Sequence, residues 1–89
     1  MKVRLDKFLK VSRLIKRRTL AKKVADQGRI KINGNIAKAS SSVMKDDEIE
    51  IQFGQTLVTV KVNKVKELVR KHEAEQLYEV IKEEKINND

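Results

Sequence analysis

The sequence predicts an α+β fold: two N-terminal helices packed on a small mixed or antiparallel sheet, with a C-terminal helix behind it. Three observations carry this. Apolar residues recur at helical spacing up to Gln27, the period switches to two beyond Gly28, and a helical pattern returns near Val65. With 89 residues the chain builds one modest core. That core must rest on Ile, Leu and Val, because Phe8, Phe53 and Tyr78 are the whole aromatic complement.

Val3, Leu5, Phe8 and Leu9 fall on one side of a first helix, and Asp6 suits its positive end. Lys7, Lys10 and Arg13 share the other side. The period is lost over residues 12–16, which reads as a turn. It resumes over residues 19–27, with Leu20, Ala21, Val24 and Ala25 on the apolar stripe and Lys22, Lys23 and Asp26 off it. Gly28 stands where a helix ends in a left-handed residue, while Arg17 occupies the position where a Ser or Thr cap is expected.

Ile30 and Ile32 then alternate with Arg29 and Lys31, Asn33-Gly34 supplies a tight turn, and Ile36 follows. Ser40-Ser41-Ser42 reads as a loop and Lys45-Asp46-Asp47 as a turn. Ile49, Ile51 and Phe53 form a strand that Gly54-Gln55 ends, and Val58, Val60 and Val62 line one face of the next. Leu68, Leu77, Tyr78 and Ile81 are the expected buried positions of the C-terminal helix, with Asn87-Asn88-Asp89 as its frayed end. This divides the chain into a main domain with its strand extension, residues 2–65, and an acidic helix and tail, residues 66–89.

Charge is distributed as unevenly as period. Up to Lys45 there are fourteen Lys and Arg against Asp6 and Asp26, a net +12; from Asp46 onward seven bases face eleven acids, a net −4. The overall +8 hides a half so basic that it repels itself until a polyanion neutralises it. Nucleic acid is the first candidate, with anionic lipid and a merely solvated face as the competitors. Lys16-Arg17-Arg18 gathers three cations between the two helices, where a helix start already offers free N–H groups. Solvated helices interleave acids with such bases, and this one does so sparingly. Single-strand readers stack bases on exposed aromatics, but Phe8 and Phe53 both sit in core-facing patterns. A folded, duplex-like or loop-rich target gripped through its phosphates fits better, and at this point RNA and DNA both qualify.

Catalysis finds little support. His72 is the only histidine and lies in a charged surface run, Asp46-Asp47-Glu48 lacks the spacing and glycine of a calcium loop, and no phosphate cradle or nucleophile elbow is present. With no cysteine there is neither a disulfide framework nor a thiolate metal site. The expectation is a non-enzyme without metal or cofactor. Charges at Lys2, Arg4, Asp6 and Lys7 leave no apolar signal stretch, so a cytoplasmic location without membrane contact is expected.

Four runs, in order, resemble the alpha-L RNA-binding domain, the fold named for small ribosomal subunit protein four. They are Arg4-Leu5-Asp6-Lys7-Phe8-Leu9, Arg18-Thr19-Leu20-Ala21, Gly28-Arg29-Ile30-Lys31-Ile32-Asn33-Gly34 and Lys45-Asp46-Asp47-Glu48-Ile49. The likeness spans about residues 2–52, and the chain as a whole resembles the bacterial heat-shock-fifteen family. That resemblance implies an RNA-binding quality control factor on a split large ribosomal subunit still carrying peptidyl-tRNA. It implies contact with large-subunit rRNA and P-site tRNA, and help to a partner elongation factor that adds a C-terminal alanine tail to the stalled chain. A monomer is expected.

Carried over by position, the resemblance implies Arg4, Lys7, Arg17 and Arg18 as main RNA contacts, supported by Arg13, Lys16 and Lys22. Thr19 would add a hydroxyl, and Arg29, Asn33 and Lys38 would flank the site from the hairpin. Arg17 departs from the family's Ser or Thr, which weakens the cap and adds a cation. The alternatives are a heat-shock-type factor that recycles peptidyl-tRNA-blocked large subunits and a non-specific nucleic-acid-binding protein. Such domains are also appended to pseudouridine synthases and methyltransferases, but the 36 residues after Phe53 hold no nucleophile or cofactor loop.

Overall fold

The helical spacing of Leu5, Phe8 and Leu9 is realised in a computed structural model of the chain, which describes residues 1–86. All three side chains are fully buried on α1 (Leu5–Val11). Val3 and Arg4 are not helical: they form β1 (Val3–Arg4), antiparallel to β4 (Ser42–Val43), so the serine run ends in a strand. The loop before β4 also closes the start of α1. Carbonyls of Ser41 and Ala39 accept the N–H groups of Leu5 and Asp6 at 2.7 and 3.1 Å, satisfying donors that a helix start leaves free.

After α1 the chain turns at Arg13, which adopts the left-handed conformation (φ 64°) that glycine usually fills behind a helix. Buried Ile15 anchors this turn, its N–H donating to the Leu9 carbonyl at 3.1 Å. Then α2 (Arg18–Asp26) runs with Ala21 and Ala25 buried. Leu20 is not on that stripe. It lies about 100° round the helix from Ala21, on the flank, and is 46% exposed.

The remaining strands are β2 (Ile30–Ile32), β3 (Asn35–Ile36), β5 (Glu48–Phe53), β6 (Thr56–Val62) and β7 (Tyr78–Lys85). They form an antiparallel sheet in the order β3-β2-β5-β6-β7. Asn33 and Gly34 both take positive φ (51° and 88°), as the two central positions of a type I′ hairpin require. Register places Ile30 opposite Ile51 and Ile49 opposite Val60, so these apolar residues share the inner face. They join Leu5, Phe8, Leu9, Ala21 and Ala25 in one core. On the outer face Lys31 opposes Glu50, and Lys61 lies between Glu48 and Glu79, rows of alternating sign that water covers.

The C-terminal segment corrects the sequence reading. Instead of a helix from Val65, residues 63–70 are irregular, a 3₁₀ helix covers Lys71–Leu77, and β7 follows. The 3₁₀ helix is closed by Glu73, whose carboxylate accepts the Arg70 N–H at 3.1 Å. Leu77 is fully buried, but Leu68 is 89% and Ile81 45% exposed. The reason is non-local. Without β7, the free edge of β6 would present a row of unpaired backbone groups, and β7 pairs that edge over seven registered positions with a bulge between Thr59 and Val60. Phe53 also departs from expectation, lying at the end of β5 and 37% exposed. The Asn87-Asn88-Asp89 end lies outside the described residues. The molecule measures 41 × 23 × 22 Å.

This arrangement separates two substitutions that a C-terminal helix would make alike. Leu77→Ala, in the core, is expected to cost about 2–5 kcal/mol, whereas Leu68→Ala stays within about 0.5 kcal/mol. Urea denaturation midpoints check both.

Candidate nucleic-acid interface

Asp6 is the only acid among the first 25 residues, and the fold buries it between two arginines. Its side chain is 6% exposed. Arg4, on β1, donates from Nε to Oδ1 at 3.2 Å; Arg18, the first residue of α2, brings its Nε to 3.3 Å from Oδ2. The Lys7 backbone N–H donates to Oδ1 at 2.9 Å. Burial alone would raise the Asp6 carboxyl. The hydrogen bonds and charge of Arg18 and Arg4 reverse this and hold it below the ordinary aspartate value.

One carboxylate cannot neutralise two guanidinium groups. The trio keeps a net positive charge, and the Arg4 and Arg18 side chains remain 53% and 48% exposed. Each guanidinium has five N–H donors, so both retain free ones for an anion in solvent. The acid thus gathers arginines from two elements onto one spot.

Lys7 fares differently. Its ammonium is engaged by Glu67 of the irregular 63–70 segment, so part of the charge read from the sequence is already balanced within the chain.

Around the start of α2 the cations other than Arg18 have no acid partner among the described residues. Arg17 is the residue preceding the helix, extended at φ −127° and ψ 141°, and its side chain makes no cap hydrogen bond. Where Ser or Thr would bend back to the helix, this guanidinium stays available. Lys16, Arg17, Thr19, Leu20 and Lys23 line a shallow concavity there. Among the described residues none of Lys16, Arg17, Lys22 and Lys23 forms an ion pair. Lys23, which continues the basic surface with Lys22 in the sequence, was not among the contacts the resemblance implies, and Leu20 was absent altogether; the helical wheel, taken residue by residue, would have put Leu20 on the flank beside Arg17.

The flanking residues are only partly joined to this surface. Arg29 donates to the Gln27 side chain at 3.2 Å. The Asn33 amide is engaged inside the protein, donating to Asp47 Oδ1 at 3.1 Å and accepting the Glu48 N–H at 2.9 Å. This clamps the hairpin to the 45–47 turn. Lys38 is exposed on a loop fastened by its own N–H to Ser41 Oγ at 2.8 Å. Arg13 is exposed on the inter-helix turn. Among the described residues no group of three or more His, Cys, Asp or Glu side chains is placed to hold a metal ion, and no helix is long and apolar enough to cross a membrane.

Two helices carrying such a surface, followed by a hairpin and a third strand, invite comparison with known folds. Residues 3–49 match the S4 domain. The chain belongs to the S4-domain family. Over 84 residues it is 67% identical to a Bacillus subtilis protein named RQC P-site tRNA stabilizing factor, spanning 94% of this chain and 98% of that one. A Halalkalibacterium halodurans protein of the same name is 67% identical over 85 residues, spanning 96% and 97%. Among solved structures, Heat Shock Protein 15 of Vibrio cholerae, described as trimeric, superposes with a TM-score of 0.84 at 35% identity. That likeness covers 91% of this chain and 83% of the other. These matches agree with the heat-shock-fifteen resemblance and with its Gram-positive member RqcP (YabO). The S4 domain carries Asp6, both its arginines and the α2 concavity, whereas Glu67 and β7 lie beyond it.

Asp6 links this surface to stability. Because its folded value is depressed, its contribution is complete above the ordinary aspartate range and is lost as pH falls through the lowered value. Asp6→Asn is expected to cost about 1–2 kcal/mol at neutral pH, discounted for the half-exposed arginines. The gap from the parent protein should close on acidification below about pH 4, as denaturation measured across pH will reveal.

Proposed function

We propose that this chain is an RNA-binding factor of ribosome-associated quality control. It binds the large subunit that still carries peptidyl-tRNA after a stalled ribosome has split, touching large-subunit rRNA and P-site tRNA together. By holding that tRNA it supports a partner elongation factor in adding alanines to the stalled nascent chain. It acts as a cytoplasmic monomer and supplies no chemistry of its own. The observation that carries this reading is the unpaired basic concavity at the start of α2, in a chain nearly coextensive with relatives named for stabilising P-site tRNA.

The physical mechanism is bridging. Two RNAs gripped at once are each held at high effective concentration relative to the other, so modest contacts add into slow dissociation. Arg4 and Arg18 offer planar forks for phosphate oxygens, while Lys16, Lys22 and Lys23 contribute point charge. The heat-shock-fifteen resemblance implies a second reading, a factor that recycles blocked large subunits. The two readings part over the nascent chain: tailing requires alanine extension that depends on this protein, and recycling does not.

Arg17→Ala tests the surface with least risk to the fold, because Arg17 is exposed and makes no side-chain cap. Subunit association, followed by co-sedimentation, should weaken about 5- to 20-fold. Affinity of the parent protein should fall roughly 10³- to 10⁵-fold between 50 and 200 mM salt if about 6–10 phosphates are contacted. Unchanged association in Arg17→Ala, or a flat salt dependence, contradicts the proposal.

A further inference from the structure

A second cavity, of about 160 Å³, opens between the end of α1 and the irregular segment that precedes the 3₁₀ helix. Lys10, Val11, Arg13 and Lys16 form one wall, and residues 67–69 form the other. The first wall belongs to the S4 domain and the second lies beyond it, so the extension completes a site that the domain alone leaves half-built.

Its chemistry is distinctive. Lys10, Arg13 and Lys16 have no acid partner among the described residues, and the one acid of the lining, Glu67, is engaged by Lys7. That ion pair ties the second wall to α1 and offsets the charge that would repel an anion. Leu68 is 89% exposed on this wall, and Val69 is half-buried beside it. A leucine this exposed offers nearly its whole apolar surface to a ligand that covers it. Arg13 keeps its side chain at a φ of 64°, where glycine would be free of strain.

The geometry points to a subsite for a single unpaired ribonucleotide, its phosphate on Lys10, Arg13 and Lys16 and its base between the Arg13 guanidinium and Leu68. This rests on the RNA-binding reading above and extends it. The volume is below the ~300 Å³ at which cofactor pockets begin, which leaves room for one small planar group. Unpaired bases stack on aromatic rings or on arginine planes, and with no aromatic in the lining, Arg13 and Leu68 provide the plane and the apolar face. Lys16 lines both this cavity and the α2 concavity, so a strand held by Arg17 continues into it. An acidic peptide would match the cations but not the apolar slot.

Amide NMR titrations with adenosine 5′-monophosphate and with inorganic phosphate test the idea. The nucleotide should shift the amides of Lys10, Val11, Arg13, Leu68 and Val69, saturating at concentrations about 5- to 100-fold below those of phosphate, the range that one base stack supplies. Leu68→Asp should erase that preference and leave the rest of the spectrum in place. Equal titration by both probes, tighter binding of a glutamate hexapeptide, or an unaffected Leu68→Asp overturns the subsite. A photo-crosslinker at position 68, in the complex with the peptidyl-tRNA-bearing large subunit, should join rRNA or tRNA and so name the source; crosslinks to protein alone overturn it. Loss of subunit association in Arg17→Ala with full association in Leu68→Asp condemns the subsite alone, whereas retention in both condemns the functional reading too.

Discussion

A carboxylate buried between two arginines organises the basic face of this protein. Arg4 enters from β1 and Arg18 from α2, and without Asp6 their like charges would push those elements apart. With it, the start of α1 and the start of α2 are tied through one carboxylate, and both guanidinium groups remain about half exposed. Ion pairs this exposed contribute little to stability by themselves. In the proposed function their value is preorganisation: donors already gathered on one acid need little further ordering to hold a phosphate.

What the sequence revealed was what local physics decides. A change of period from 3.6 to 2 at Gly28, a turn dipeptide at Asn33-Gly34 and a missing cap at Arg17 each depend on a few adjacent residues, and each is found as read. The charge division between the halves was equally plain. What it concealed depends on partners far along the chain. Leu77, Tyr78 and Ile81 fit a helical wheel as well as a strand, and only the open edge of β6 decides between them. Lys7 looked free because Glu67 is 60 residues away, and the clamp of Asn33 on Asp47 and Glu48, spanning fourteen and fifteen residues, was hidden in the same way.

The same distinction divides the candidate site. Arg17, Lys16 and Thr19 line one concavity at a helix start and were legible as a group. Arg4 and Arg18 belong with them for a reason the sequence does not display, their common acid. Leu20 and Leu68, the exposed apolar residues beside the cations, escaped notice because spacing assigned both to buried stripes.

The division of charge has a further consequence at the molecule's own scale. In cellular salt, electrostatic influence decays over about 8 Å, far less than the 41 Å length of this protein and less than its 22 Å thickness. A polyanion near the helices therefore responds to the cations beside it and barely registers acids on a distant strand. The formal charge of +8 averages over distances that salt screens, and understates how strongly a polyanion beside the helices is attracted.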